Sequence, residues 1–138
     1  MAQFNSKNQA SRVARRWFTD IDINMTNHPQ TGDVSLKYDL NAIKRSVRNL
    51  VSTNLYERPF KPSLGVNLRG MMFELDNAHT MVLENEIKEL IERFEPRAVI
   101  TNIFAHSIGN ELDVTILFSI VNNSSQTHEL DLILERVR

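Results

Sequence analysis

The chain has 138 residues and a mass of 15.9 kDa, with 41% hydrophobic and 24% charged residues, 4 Gly, 4 Pro and no Cys. This is the size and composition of one globular domain with its own core, and it excludes a fibrous or wholly disordered chain. The absence of cysteine excludes disulfides, cysteine-liganded zinc and thiol catalysis. The longest apolar run, Ile116 to Val121, is broken by Ser119 and far shorter than the roughly 18 residues that span a bilayer. Met1 to Asn8 hold no apolar leader core, so an intracellular protein with no membrane association is expected.

The net charge of -1 hides an asymmetry. Residues 1–69 hold 11 Lys+Arg against 5 Asp+Glu, and residues 70–138 hold 5 against 12. Such a split favours docking to complementary partners or head-to-tail stacking.

In chain order, residues 1–19 carry Lys7, Arg12, Arg15 and Arg16 and no acid, which reads as a basic arm. A polar loop follows, from Asp20 through Asn27, His28, Pro29 and Gly32. Residues 20–138 are read as a single domain. Val34, Leu36 and Tyr38 alternate with polar residues as in a short half-buried strand. Apolar residues at 40, 43, 47, 50 and 51 then define one face of a helix opened by a cap at Asp39 or Asn41.

Pro59, Pro62 and Gly65 rule out regular structure across residues 57–65 and predict a fixed loop. Leu68, Met71, Met72 and Leu75 allow a short helix. Leu83, Ile87, Leu90, Ile91 and Phe94 form the stripe of a long one. Its outer face carries Glu84, Glu86, Glu89 and Glu92, with Glu84–Lys88 and Glu89–Arg93 in the favourable order, and Pro96 should end it at Glu95.

Beyond Pro96 the period becomes two. Val99, Ile100, Ile103 and Phe104 predict a strand, Gly109-Asn110 a hairpin turn, and Leu112, Val114, Ile116, Phe118 and Ile120 a second strand. After a turn at residues 122–125, Leu130, Leu132 and Leu134 predict a third. The expected fold is α+β: an antiparallel C-terminal meander covered on one face by two amphipathic helices, in two layers.

Little in this pattern carries catalysis. The four glycines form no phosphate loop. His28, His79, His106 and His128 are scattered and show no metal-ligand spacing, and no nucleophile elbow surrounds a serine. Paired carboxylates leave one enzymatic alternative, a peptidoglycan-hydrolysing, lysozyme-like activity drawn from Glu74, Glu89, Glu92 and Glu95, since glycosidases need two acids about 5 to 9.5 Å apart, one with a raised pKa. Glutamates on one side of a helix are more simply its solvated face. Arg12, Arg15, Arg16, Trp17 and Phe18 also suit a nucleic-acid-binding module. Four cations in a slightly acidic chain favour a protein partner, for which Trp and Arg are preferred anchors.

Two segments go further. Glu57-Arg58-Pro59-Phe60-Lys61-Pro62 is followed by Gly65, Leu68 and Met72-Phe73-Glu74. One amphipathic helix later comes Phe94-Glu95-Pro96-Arg97. In order and spacing these resemble the baseplate wedge family of contractile-tailed phages, which includes a type VI secretion baseplate component and some members labelled lysozymes. Asp20-Ile21-Asp22 is similar to the T4-type branch. The chain departs from the pattern in its longer arm and in Leu64, where an aromatic is expected.

The resemblance implies a non-enzymatic, late-expressed virion protein of the tail baseplate, assembled in the host cytoplasm in multiple copies of a symmetric particle. It implies binding to other wedge subunits and to sheath or tube-cap proteins, and nucleation of the sheath. It implies no cofactor, metal, small-molecule substrate, nucleic acid or membrane. The contacts expected are Glu95, Pro96 and Arg97, then Arg58, Pro59 and Phe60, then Arg15, Arg16 and Trp17 of the arm. The last strand, if it lies at a sheet edge, suits strand augmentation. Glu95 and Arg97 read either as a charged clamp toward a partner or as an internal salt bridge. In the first case Arg97→Ala leaves the domain folded, and in the second it lowers the melting temperature.

Overall fold

In the computed structural model, residues 17–71, 77–108 and 111–135 are described. They divide into two compact units between Asp39 and Leu40.

The first unit is a two-stranded ribbon, β1 (Thr19–Ile21) antiparallel to β2 (Leu36–Tyr38), with Thr19 opposite Tyr38 and Ile21 opposite Leu36. The strand expected from Val34, Leu36 and Tyr38 forms over Leu36–Tyr38, with Val34 in an isolated bridge to Asn27, and residues 19–21, read as the end of the arm and the start of a loop, are its partner. Three residues carry too little periodicity to be seen, and the pairing is made by a neighbour 15 positions on. Asp22 organises the turn that follows. It is 2% exposed, and its carboxylate accepts the Asn24 N–H at 3.2 Å and the Thr26 hydroxyl at 3.0 Å, with the Lys37 ammonium 3.4 Å away. Such a buried charge is tolerable because each oxygen is paired. The Asp39 carboxylate accepts the N–H groups of Trp17 and Phe18 at 2.8 and 3.0 Å.

The second unit holds the rest. The helix α1 (Asp39–Ser52) buries Ala42, Ile43, Val47 and Val51, the face expected except that Ala42 joins it and Leu40 and Leu50 lie at its margin. A short α2 (Leu68–Met71) precedes α3 (Asn77–Phe94), whose stripe Leu83, Ile87, Leu90 and Ile91 is at most 6% exposed. The helix stops where Pro96 requires, with the Glu95 N–H closing the last turn on the Ile91 carbonyl at 2.8 Å.

The sheet is the predicted meander, β3 (Ala98–Ile108), β4 (Glu111–Ile120) and β5 (Asn123–Glu135), antiparallel in the order β3-β4-β5. The five alternating apolar positions expected in β4, Leu112, Val114, Ile116, Phe118 and Ile120, are buried, and Leu117 between them is half-buried. In β3 the alternation changes phase: Ala98 is buried with Ile100 half-buried, then Ile103 and Ala105 are buried, because Thr101 bulges between the Ile100–Phe118 and Asn102–Leu117 pairs. The Gly109-Asn110 turn lies outside the described residues. The turn expected at 122–125 is shorter, since β5 begins at Asn123. The architecture is α+β with α3 packed on the sheet along β3.

Candidate assembly surfaces

Three features gather the residues singled out by the sequence. At the first, Pro96 fixes the chain just past α3 so that Glu95 and Arg97, two positions apart, converge. Arg97 Nε donates to Glu95 Oε1 at 2.6 Å and Nη2 to Oε2 at 2.7 Å, a two-pronged pair. Glu95 is 3% exposed and the Arg97 side chain 24%. Burial pushes the Glu95 carboxyl upward, but the bond from Arg97, a second from Ser46 of α1, and the Arg97 charge outweigh it and hold the group below its ordinary value of 4.5. A carboxylate at a helix C-terminus also faces the negative end of the dipole, so it needs this cation. The Arg97 carbonyl accepts the Val121 N–H at 3.1 Å, and the Ala98 N–H binds the Glu95 carbonyl at 3.1 Å. The triplet therefore ties together α1, α3, the start of β3 and the end of β4. Of the two sequence readings of Arg97, the internal pair is the arrangement present.

The second feature is the loop between α1 and α2. Asn54 bridges in parallel to Val66 at its neck, where the Leu55 N–H reaches the Val66 carbonyl at 3.3 Å and the Val66 N–H the Thr53 carbonyl at 3.1 Å. Inside it, the Tyr56 N–H binds the Pro62 carbonyl at 3.0 Å, the Lys61 N–H the Arg58 carbonyl at 3.1 Å, and the Glu57 carboxylate accepts the Asn54 N–H at 2.9 Å. This is the fixed loop expected from its prolines. It presents rather than buries its apolar residues: Phe60 is 99% exposed and Tyr56 76%, with Arg58, Pro59 and Lys61 exposed beside them.

The third feature is the pair of sheet edges. Along β3 the Glu84 carboxylate of α3 accepts the Ala105 N–H at 2.8 Å, so the helix covers this edge and occupies one of its donors. Glu84 was placed on the solvated outer face by its sequence, and the structure corrects this: it is half-buried at the border of the Leu83–Ile87 stripe. That position, three residues before Ile87, was the available signal. Among the described residues nothing pairs with the outer edge of β5.

Arg15, Arg16 and Glu74 lie outside the described residues. Trp17 is half-exposed. Glu89 and Glu92 are exposed on α3, and Glu95 is shifted in the direction opposite to that of a general acid. Among the described residues no acidic or histidine cluster could hold a metal, and no helix is long and apolar enough to cross a membrane.

A family model described as baseplate wedge protein gp25 matches residues 22–125. The chain belongs to this baseplate wedge family. Baseplate wedge protein gp25 of Enterobacteria phage T4 is 29% identical over 120 residues, 85% of this chain and 90% of its own length. Two solved structures share the fold. A Geobacter sulfurreducens chain named as a tail lysozyme aligns with TM-score 0.62 and 21% identity over 70% of this chain and 89% of its own. A chain of the six-fold symmetrised anti-feeding prophage baseplate aligns with TM-score 0.59 and 23% identity over 86% of this chain and 85% of its own. The match to the wedge family takes in the loop, the Glu95–Arg97 pair, β3 and β4, and it ends near the start of β5.

Proposed function

We propose that this wedge-family chain is a non-enzymatic baseplate subunit that seats on the inner baseplate core and starts sheath assembly along β5. Family membership supports the baseplate setting. The observation that carries the finer reading is the asymmetry of the two sheet edges. A helix and the Glu84 carboxylate protect β3, while among the described residues no strand pairs with the outer edge of β5 over Asn123–Glu135. An open edge is a hazard in a free monomer and a template in an assembly. A sheath subunit adding a strand there gains main-chain hydrogen bonds and meets the outward-facing Asp131 and Ile133, both exposed. The basic arm with Arg15, Arg16 and Trp17 is the second contact in this proposal, and the exposed part of Arg97 with Pro96 the third.

Adjacent proline substitutions test the edge. Thr127 is exposed and His128 half-buried, and both lie in the regular β4–β5 register, opposite Ser119 and Phe118. Along an antiparallel strand one of two neighbouring N–H groups points outward, so one of Thr127→Pro and His128→Pro removes an outward donor and spares the β4–β5 ladder. That variant is expected to melt close to the parent and to enter baseplates, yet to leave them without sheath in electron micrographs. Normal sheath on both variants would contradict the assignment of β5.

A further inference from the structure

The loop from Glu57 to Gly65 combines a backbone held by its own hydrogen bonds with an aromatic tip wholly in water. Pro59 and Pro62 limit its freedom, and the Tyr56–Pro62 and Arg58–Lys61 bonds close it, so Phe60 is held out at little conformational cost on association. A phenyl ring 99% exposed contributes almost nothing to the fold. It contributes to binding only when a partner takes it out of water. The charges around it are one-sided. The Glu57 carboxylate is turned back onto the Asn54 N–H, which leaves Arg58 and Lys61, both exposed, flanking the ring.

We propose that Phe60 is the anchor of a contact with a different baseplate protein, entering an apolar pocket whose rim carries carboxylates that meet Arg58 and Lys61. This rests on the baseplate reading above and adds to it the chemistry of the receiving surface. A buried aromatic with charged neighbours at its rim is the arrangement that concentrates binding energy in an interface. A second copy of the chain is a poorer receiver. The chain has a cleft of about 380 Å³ whose charged lining is Glu86, Glu89 and Arg93 and whose wall includes Leu55, Ser63 and Gly65. Its wall is this same loop, so a two-fold pair would require one short segment to be both inserted anchor and receiving wall. It would also bring the cations of the two copies together.

The experiment is complementation of tails lacking the chain with full-length variants, the chain being quantified in purified tails. Phe60→Ala is expected to melt within about 2 °C of the parent, since a fully exposed side chain is removed. It should enter tails on the order of tenfold less or worse. Phe60→Trp should restore entry, and Arg58→Glu with Lys61→Glu should reduce it. A photo-crosslinking phenylalanine at position 60 is expected to join a different protein, at a peptide containing both apolar and acidic residues. Entry of Phe60→Ala at the parental level would overturn the proposal, as would a crosslink to a second copy. Absence of the parental chain from tails would instead overturn the baseplate reading and this inference with it.

Discussion

Arg97→Ala is expected to lower the free energy of unfolding by roughly 3 kcal/mol or more, the usual cost of removing one partner from a buried ion pair. The loss comes mainly from what remains: Glu95, 3% exposed, keeps a carboxylate at the C-terminal end of α3 with the guanidinium gone and the Ser46 hydroxyl and the backbone N–H of residue 97 still bonding it. Adding Glu95→Gln to Arg97→Ala should recover part of the loss, because the orphaned charge is then gone. The pH dependence has a definite sign. In the parent, Glu95 is held below its ordinary value of 4.5, so its stabilising contribution is complete above that value and is lost as pH falls through the folded-state value. In Arg97→Ala only the Ser46 hydroxyl and the residue 97 N–H are left to oppose burial, so the carboxyl rises relative to the parent and the destabilisation should shrink between neutral pH and about pH 4. Urea unfolding of the three proteins at both pH values checks this. A single variant that unfolds like the parent at neutral pH would show that the pair does not hold the domain together. It also follows that reduced baseplate entry by Arg97→Ala reports on an interface only after correction for the unfolded fraction.

Gly65→Ala is expected to cost about 2–4 kcal/mol. The backbone there has φ +117°, and a Cβ would lie 2.3 Å from the Thr53 carbonyl oxygen and 2.9 Å from the Asn54 carbonyl carbon. The methyl cannot be accommodated by a rotating side chain, because the obstruction is backbone that itself binds the Val66 N–H. The neck of the loop must open, displacing Val66, which is 3% exposed, from the core. Chemical unfolding should show this loss. Hydrogen exchange should show faster exchange at the Leu55 and Val66 amides than at those of β4. Equal protection at all of them, with parental stability, would contradict the role given to Gly65.

What the sequence made legible depended on how many residues shared a pattern. The α3 stripe has five apolar positions and the β4 alternation five, and each sits where the period placed it. The stop at Glu95 followed from one proline, because proline acts on the residue before it whatever the surroundings. In β3 the apolar residues identified a strand but not its faces, since a bulge at Thr101 reverses the alternation and a bulge is decided by pairing with β4. Asp22 and Glu84 were hidden for a related reason. Their partners, Lys37 and the Ala105 N–H, are 15 and 21 positions away, and a carboxylate paired at a distance looks in sequence like any solvated acid. The Pro59–Pro62 loop announced its rigidity but not its exposure. Phe60 was singled out as a contact by the family resemblance, and the three-dimensional course of the loop shows the ring in water. Glu95 and Arg97 were visible as a pair, while the choice between facing each other and facing a partner needed coordinates.

Cryo-electron microscopy of intact tails tests the proposal that this chain is a baseplate wedge subunit from which the sheath starts. Density for the chain is expected in symmetric copies at the inner baseplate, directly beneath the first sheath ring, with a sheath strand added along β5. Density for the chain elsewhere in the particle, or at the baseplate with β5 facing solvent and the first sheath ring bound to another protein, would contradict it.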